Sequence, residues 1–252
     1  ADVPADLPRA ASPDARPAIS LAGMRILATG GLGSLASAFA LAAARAGAKL
    51  VLADLFPDPA TEAGGATVAR ARELATRFEA AGCPAPAFYH ADVTVMRDAI
   101  ELLEAAAGEH RVDLFVNFAG LHHPPFDLVL GDPEKLARDF ERVVRVNLTG
   151  AFNLTTAAAR VMVPHRSGHV IHLCSNGSRA SLYGSYGYNA SKHGVEGLVK
   201  TAAAQLAPLG VRVNGVAPGT VITDLNRALN YSEDGSPRPR AKSILAHTPT
   251  KR

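Results

Sequence analysis

Short apolar runs of four to six residues alternate along this chain with longer stretches where small apolar residues recur every three or four positions. The first kind reads as buried strand, the second as helix packed on one face. Residues 24–29 make the first run and lead into a glycine turn. Residues 34–46 are Ala-rich and helical, stopped by Gly47. A second strand is expected over 49–53, ending at Asp54, followed by a Pro- and Gly-containing loop over 56–65. A helix over about 66–81 stops at Gly82. A third strand follows at 87–90 with Asp92 beyond it, then a helix at about 95–107 and a fourth strand at 112–116. Asp132-Pro133 reads as an N-cap and an N1 proline, opening a long helix to about 162. Strands at 169–173 and 211–216 flank a helix that carries Tyr188. Strands and helices in alternation predict an α/β fold with a doubly wound parallel sheet.

Composition narrows the setting. The chain has 252 residues, 48% apolar and 19% charged, enough for one large core. Residues 1–20 lack any period and read as a flexible arm, so the domain is expected over 21–252. The net charge of +3 comes from scattered basic residues. No nucleic-acid or membrane footprint is indicated. No apolar run approaches the ~20 residues of a membrane span, and no signal-peptide layout opens the chain. Cys83 and Cys174 form no metal or redox spacing and read as small buried residues in a reducing compartment, with cytoplasm as the default. His122 and His123 lack a third ligand at metal-binding spacing, so no metal site is expected.

The candidate chemistry begins with Tyr188 and Lys192, at i and i+4 on one expected helix. Side chains so spaced meet on one face, and an ammonium beside a phenol favours the phenolate. The pair suits proton exchange with an alcohol or carbonyl. Gly30-Gly31-Leu32-Gly33-Ser34-Leu35-Ala36 joins the first strand to the first helix. Glycines there let the backbone approach a pyrophosphate, and the helix N-terminus supplies N–H donors. Asp54, some twenty residues on, can accept hydrogen bonds from the ribose hydroxyls of NAD and would repel the 2′-phosphate of NADP.

Together with further motifs, these segments resemble the short-chain dehydrogenase/reductase family from about residue 21 to the end. Asp92-Val93 stands where that family places a pair against adenine, and Asn117-Phe118-Ala119-Gly120 resembles its Asn-Asn-Ala-Gly. Asn147 resembles its long-helix asparagine, and Ser175 precedes Tyr188 by the family interval. Pro218, Gly219, Val221 and Thr223 match the segment that closes over the nicotinamide. The resemblance implies a Rossmann-type fold and an NAD-dependent oxidoreductase. Tyr188 would be its acid–base group, with Lys192 also holding the nicotinamide ribose. Ser175 would hold the substrate oxygen, and Asn147 a relay water. It also implies a homo-oligomer, dimer or tetramer, paired through the helices that carry Asn147 and Tyr188.

Two departures accompany the resemblance. Ser34 and Ala36 stand where the commonest family pattern has glycines, although some members end in a Gly-x-Leu-Gly like that at Gly33. The family's usual last helix and strand are missing after Lys251-Arg252, whether by truncation or by nature, which would leave strand six as an exposed edge. A substrate loop is expected over about 220–252. Residues 233–235 and 242–249 resemble members acting on sugar acids. Arg227, next to Asn226, could then pair with a carboxylate, and His123, next to Pro124, with a hydroxyl. The expected substrate is a sugar acid or polyol. The alternatives are another ketone class, such as a steroid or acyl ketone, and an NAD-binding regulator without catalysis.

Overall fold

A computed structural model describes residues 19–56, 62–123, 125–178, 184–223 and 227–247. Six strands are present: β1 (Arg25–Thr29), β2 (Lys49–Asp54), β3 (Ala87–His90), β4 (Leu114–Asn117), β5 (Gly168–Leu173) and β6 (Val211–Val216). They form one sheet in the order β3-β2-β1-β4-β5-β6, and every pairing is parallel. The order reverses direction between β1 and β4. Open parallel sheets bind ligands at such a switch point, outside the carboxyl ends of the strands. The expected doubly wound α/β sheet is therefore what the chain adopts, as a single domain.

Alternation along the strands feeds two cores. Ile26 and Ala28 of β1 point to one face, where α1 (Ser34–Arg45) and α2 (Glu62–Ala80) bring Ala40, Leu74 and Phe78. Leu27 points to the other face, against α3 (Met96–Ala107), α5 (Gly150–Met162) and α6 (Tyr186–Leu206), which bring Leu103, Leu154 and Val195. Small side chains at Ala99, Ala151, Ala157 and Ala158 let these helices sit close to the sheet.

Two boundaries differ from expectation. The loop expected over 56–65 is shorter, because α2 already runs from Glu62 through Gly64 and Gly65. Gly64 is buried, and tertiary packing there overrides the weak helix propensity of glycine. The long helix from residue 133 to 162 is continuous but not uniform. It consists of α4 (Pro133–Val144), a π-helical turn (Arg145–Thr149) and α5. Asp132 caps α4 as expected, its carboxylate accepting from Lys135 N at 2.8 Å.

Two short helices, α7 (Arg227–Asn230) and α8 (Pro239–His247), follow β6. Among the described residues β3 and β6 are the sheet edges. Apart from Ile19 and Ser20, the expected N-terminal arm lies outside the described residues, as do Pro124, Asn226 and the final segment 248–252.

Candidate active site

The turn after β1 is shaped by a steric requirement. Gly30 has φ +64°, and a Cβ on it would lie 2.7 Å from the backbone N of Ala119. No side chain fits between the β1 and β4 turns, so the two backbones pass in direct contact. Past this turn α1 begins at Ser34, with Gly33 as N-cap and no side-chain cap. A helix start without a side-chain cap suits a ligand that can accept from its N–H groups. Ala36 is fully buried, so the methyl group that replaces a glycine hydrogen sits inside the helix–sheet contact.

A cleft of about 720 Å³ opens at this switch point. Gly30, Gly33, Ser34, Leu35, Asp54, Asp92, Val93, Ala119, Gly120 and Thr223 all line it. Asp54 is held at its rim by two backbone donors, Leu32 N to Oδ2 at 2.9 Å and Leu55 N to Oδ1 at 2.8 Å. Asp92 accepts from Thr94 N at 2.8 Å, and Val93 O takes a hydrogen bond from Asn153 at 3.0 Å. Phe118, where the family has its second asparagine, packs on Phe39 at 5.4 Å between ring centroids and also lines the cleft. A glycine turn, an uncapped helix start and a carboxylate at the end of β2 together fit a dinucleotide: diphosphate at one end, ribose hydroxyls at the other. Pro218, Gly219 and Val221 lie on the connection after β6 and do not line the cleft. Pro218 O accepts from Asn176 N at 3.1 Å, which ties that connection to the end of β5.

Asn117 ends β4 and lies behind the cleft, buried. Its Oδ1 accepts from Thr29 Oγ1 at 2.8 Å and from Ala119 N at 3.0 Å. Its Nδ2 meets His172 Nδ1 at 3.2 Å, and His172 Nε2 meets Thr155 Oγ1 at 2.9 Å. Thr155 donates its hydroxyl hydrogen to Ala151 O at 2.7 Å, so its oxygen accepts from the imidazole. The network therefore assigns a neutral His172 with the hydrogen on Nε2. Burial, and secondarily the charge of Lys192, lower its pKa from 6.5 to about 4. The sequence reading passed over His172. Its register partner on β4 is Asn117, a pairing visible only once strand order is known.

The π turn carries Asn147. One extra residue in the helical ladder reorients side chains locally, and such turns cluster at functional sites. Asn147 grips the backbone of Leu121 from both sides, accepting from its N at 2.7 Å and donating to its O at 3.0 Å. Its other amide hydrogen goes to Ser191 Oγ at 3.0 Å, and Ser191 donates to Tyr188 O at 2.8 Å. The asparagine thus joins the loop after β4 to the first turns of α6.

Lys192 is buried on α6 and donates to Leu173 O at 2.6 Å. Its Nζ lies 5.7 Å from the centre of the Tyr188 ring. Seen from Gly120, a Cβ there would be 3.3 Å from Asn147 Oδ1 and 3.8 Å from Lys192 Nζ. The cleft, the clamp and the ammonium therefore converge at Gly120. Desolvation lowers the Lys192 pKa to about 8, slightly opposed by Cys174, which leaves most of the charge in place at neutral pH. Ser175 follows β5 and accepts from Gly177 N at 3.0 Å while its hydroxyl reaches Asn176 Oδ1 at 3.3 Å.

The two substrate candidates fare differently. His123 is 4% exposed, accepts from Gly187 N at 3.2 Å and stacks on Phe126 at 4.5 Å, so it anchors the start of α6. Its neighbour His122 is the one that faces Tyr188, with 4.8 Å between ring centroids. Arg227 opens α7 and is exposed. Among the described residues no group of His, Cys, Asp or Glu could hold a metal ion, and no helix is long and apolar enough to cross a membrane.

Ser175, Tyr188 and Lys192 do not themselves line the cleft, but Lys192 Nζ lies behind its Gly120 wall. A parallel sheet with such a cleft at its switch point, and a tyrosine and buried lysine beside it, defines a class: oxidoreductases that use a nicotinamide cofactor. Comparison with known proteins gives the family. A sequence profile described as short chain dehydrogenase matches residues 24–234, and the chain belongs to this short-chain dehydrogenase/reductase family. Momilactone A synthase of Oryza sativa subsp. japonica is 36% identical over 224 residues, covering 88% of this chain and 74% of the relative. The mitochondrial borneol dehydrogenase of Lavandula x intermedia is 34% identical over 208 residues, covering 82% and 73%. Gluconate 5-dehydrogenase from Burkholderia cenocepacia, crystallised with NADP and tartrate, aligns with a TM-score of 0.75 at 30% identity. That alignment covers 92% of this chain and 83% of the other.

Proposed function

We propose that this chain moves a hydride between NAD(H) and a secondary alcohol or carbonyl, with a sugar acid or polyol as substrate. The observation that carries the reading is the buried Lys192 ammonium beside Tyr188, at the Gly120 end of a cleft whose far rim holds Asp54. In alcohol oxidation Tyr188 takes the hydroxyl proton, and in carbonyl reduction it returns one. The ammonium of Lys192 favours negative charge building on the phenol oxygen and also holds the nicotinamide ribose. Ser175 has its oxygen engaged by Gly177 N, which leaves its hydrogen to be directed at the substrate oxygen instead of Asn176. Both amide hydrogens of Asn147 are donated, so its side chain acts as a clamp, and a relay water is held through Oδ1 or the main chain. Bound in the cleft, NAD(H) supplies or accepts the hydride at its nicotinamide ring.

NAD is favoured over NADP because a 2′-phosphate would meet the Asp54 carboxylate. Arg70 and Thr67 also line the cleft, and a cation there supports NADP as the second reading. The sugar-acid reading draws on the gluconate 5-dehydrogenase likeness and its tartrate, a dihydroxy diacid. The likeness to borneol dehydrogenase supports the second substrate reading, another ketone class than that of the sugar acids. As relatives pair, this chain forms a homo-oligomer through α4, α5 and α6.

One experiment tests the site. Purified protein and its Tyr188→Phe variant are assayed with NAD and with NADP on polyols, sugar acids and cyclic alcohols, and cofactor binding is measured separately. The expected result is turnover with NAD that falls by about 100- to 10,000-fold in the variant while NAD binding holds. Undiminished turnover would remove Tyr188 from the acid–base role. Binding without turnover in the parent protein would favour the silent regulator.

A further inference from the structure

His122 sits in a rigid frame beside the acid–base group. On one side Leu121 is gripped at both N and O by Asn147. On the other side His123 is fixed by its hydrogen bond from Gly187 N and by stacking on Phe126, which in turn stacks on Tyr186. The residue between these two anchors has little freedom to move. Its ring lies 4.8 Å from that of Tyr188, tilted by 50°, and its Nε2 is 3.3 Å from Ser185 Oγ. Both His122 and Tyr188 are partly exposed, and His122 directly follows Leu121, which lines the cleft. The Ser185 contact is at the long end of the hydrogen-bond range. A substrate oxygen can join it or replace it at small cost.

We propose that His122 is a specificity-determining residue, whose imidazole hydrogen-bonds a second oxygen on the carbon next to the reacting one. The site then selects vicinal diols and 2-hydroxy acids over isolated alcohols. The inference rests on Tyr188 as the proton-transfer group, because a ring separation of 4.8 Å keeps the imidazole within reach of a substrate held at Tyr188. It assigns to His122 the hydroxyl contact that sequence alone suggested for His123, a side chain occupied in holding α6. A site built around such a contact discriminates strongly, since the analogue lacking the hydroxyl leaves a polar group unpaired.

The test compares trans-cyclohexane-1,2-diol with cyclohexanol, which differ by the one oxygen, in the wild type, His122→Phe and His122→Gln. Phenylalanine keeps a ring against Tyr188, and glutamine keeps a hydrogen-bonding group. For the phenylalanine variant, kcat/KM on the diol is expected to fall by about tenfold or more while cyclohexanol changes by less than about threefold. Glutamine is expected to restore most of the loss. NAD affinity, measured by calorimetry, should be the same in all three proteins.

The second readout needs no turnover. Tartrate titrated into the NAD complex should bind the wild type, bind His122→Phe about tenfold more weakly, and recover in His122→Gln. Equal losses on diol and cyclohexanol, or tartrate binding that is absent in the wild type or indifferent to the substitutions, would overturn the proposal. A wild type that oxidises cyclohexanol but not the diol would also overturn it. The Tyr188 reading would survive that result if Tyr188→Phe abolished cyclohexanol oxidation.

Discussion

At the scale of single residues, His172 shows how a buried polar group can fix a site without touching it. Its two nitrogens join Asn117 on β4 to Thr155 on α5, and Asn117 in turn sets Ala119 N at the edge of the cleft. The arrangement works only with a neutral ring, because a proton on Nδ1 would face the Asn117 amide hydrogens. The unfolded chain protonates this imidazole near 6.5, the folded one only near 4. Its contribution to stability is therefore complete above pH 6.5 and is lost as the pH falls through that window to 4. The loss amounts to about 3 kcal/mol. His172→Asn can still accept from Asn117 yet cannot titrate. Urea unfolding at pH 7 and at pH 4.5 should show a smaller acid loss for the asparagine variant than for the wild type. Parallel losses would mean that other groups govern acid unfolding. His172→Leu, which takes the acceptor from the Asn117 amide, should be destabilised at both pH values by about 1–3 kcal/mol.

At the scale of elements, the β1 and β4 turns act as one unit, and Gly30 is the test of it. Alanine there would put a methyl group into the Ala119 backbone and require a φ that L-residues avoid. Gly30→Ala should lower stability by about 1–3 kcal/mol and abolish cofactor binding. Gly219→Ala, with open space around its added methyl, should stay within about 0.5 kcal/mol in the same thermal melts. Equal melting of the two variants would mean that the turns do not meet in solution. The strand–helix alternation and the glycine turn were legible in sequence because both are local patterns. The spacing of Ser175, Tyr188 and Lys192 was legible for the same reason. The π turn at Asn147 was not, since an inserted residue leaves the apolar period on either side readable as helix. His172 went unread, and His122 was weighed only as a metal ligand, because their partners lie 55 and 63 residues away in sequence.

At the scale of the whole molecule, the long helix carries two opposed messages. α5 buries Ala151, Leu154, Ala157 and Ala158 against the sheet, yet Phe152 in the same helix is 52% exposed and Phe140 of α4 is 39% exposed. Before α4, Leu128, Val129 and Leu130 are also exposed. Single exposed apolar residues need no explanation, whereas aromatic side chains on one long helix suit a face that a second copy covers. An isologous pairing buries the same patch on both subunits, so a charge introduced at Phe152 is desolvated twice, once on each side of the axis. Phe152→Glu should therefore dissociate the proposed oligomer while leaving the fold intact, because the side chain is half exposed. Sedimentation equilibrium is the direct measurement: the wild type at dimer mass or above, the variant shifted toward the monomer, with unchanged far-UV circular dichroism. Activity sharpens the reading. The π turn at Asn147 joins α4 to α5, and Asn147 grips Leu121 next to His122. Loss of pairing should loosen this frame, raising KM for a polyol substrate more than it lowers kcat. A variant of unchanged mass would place the pairing surface elsewhere, and a monomeric variant with wild-type kinetics would separate assembly from the site.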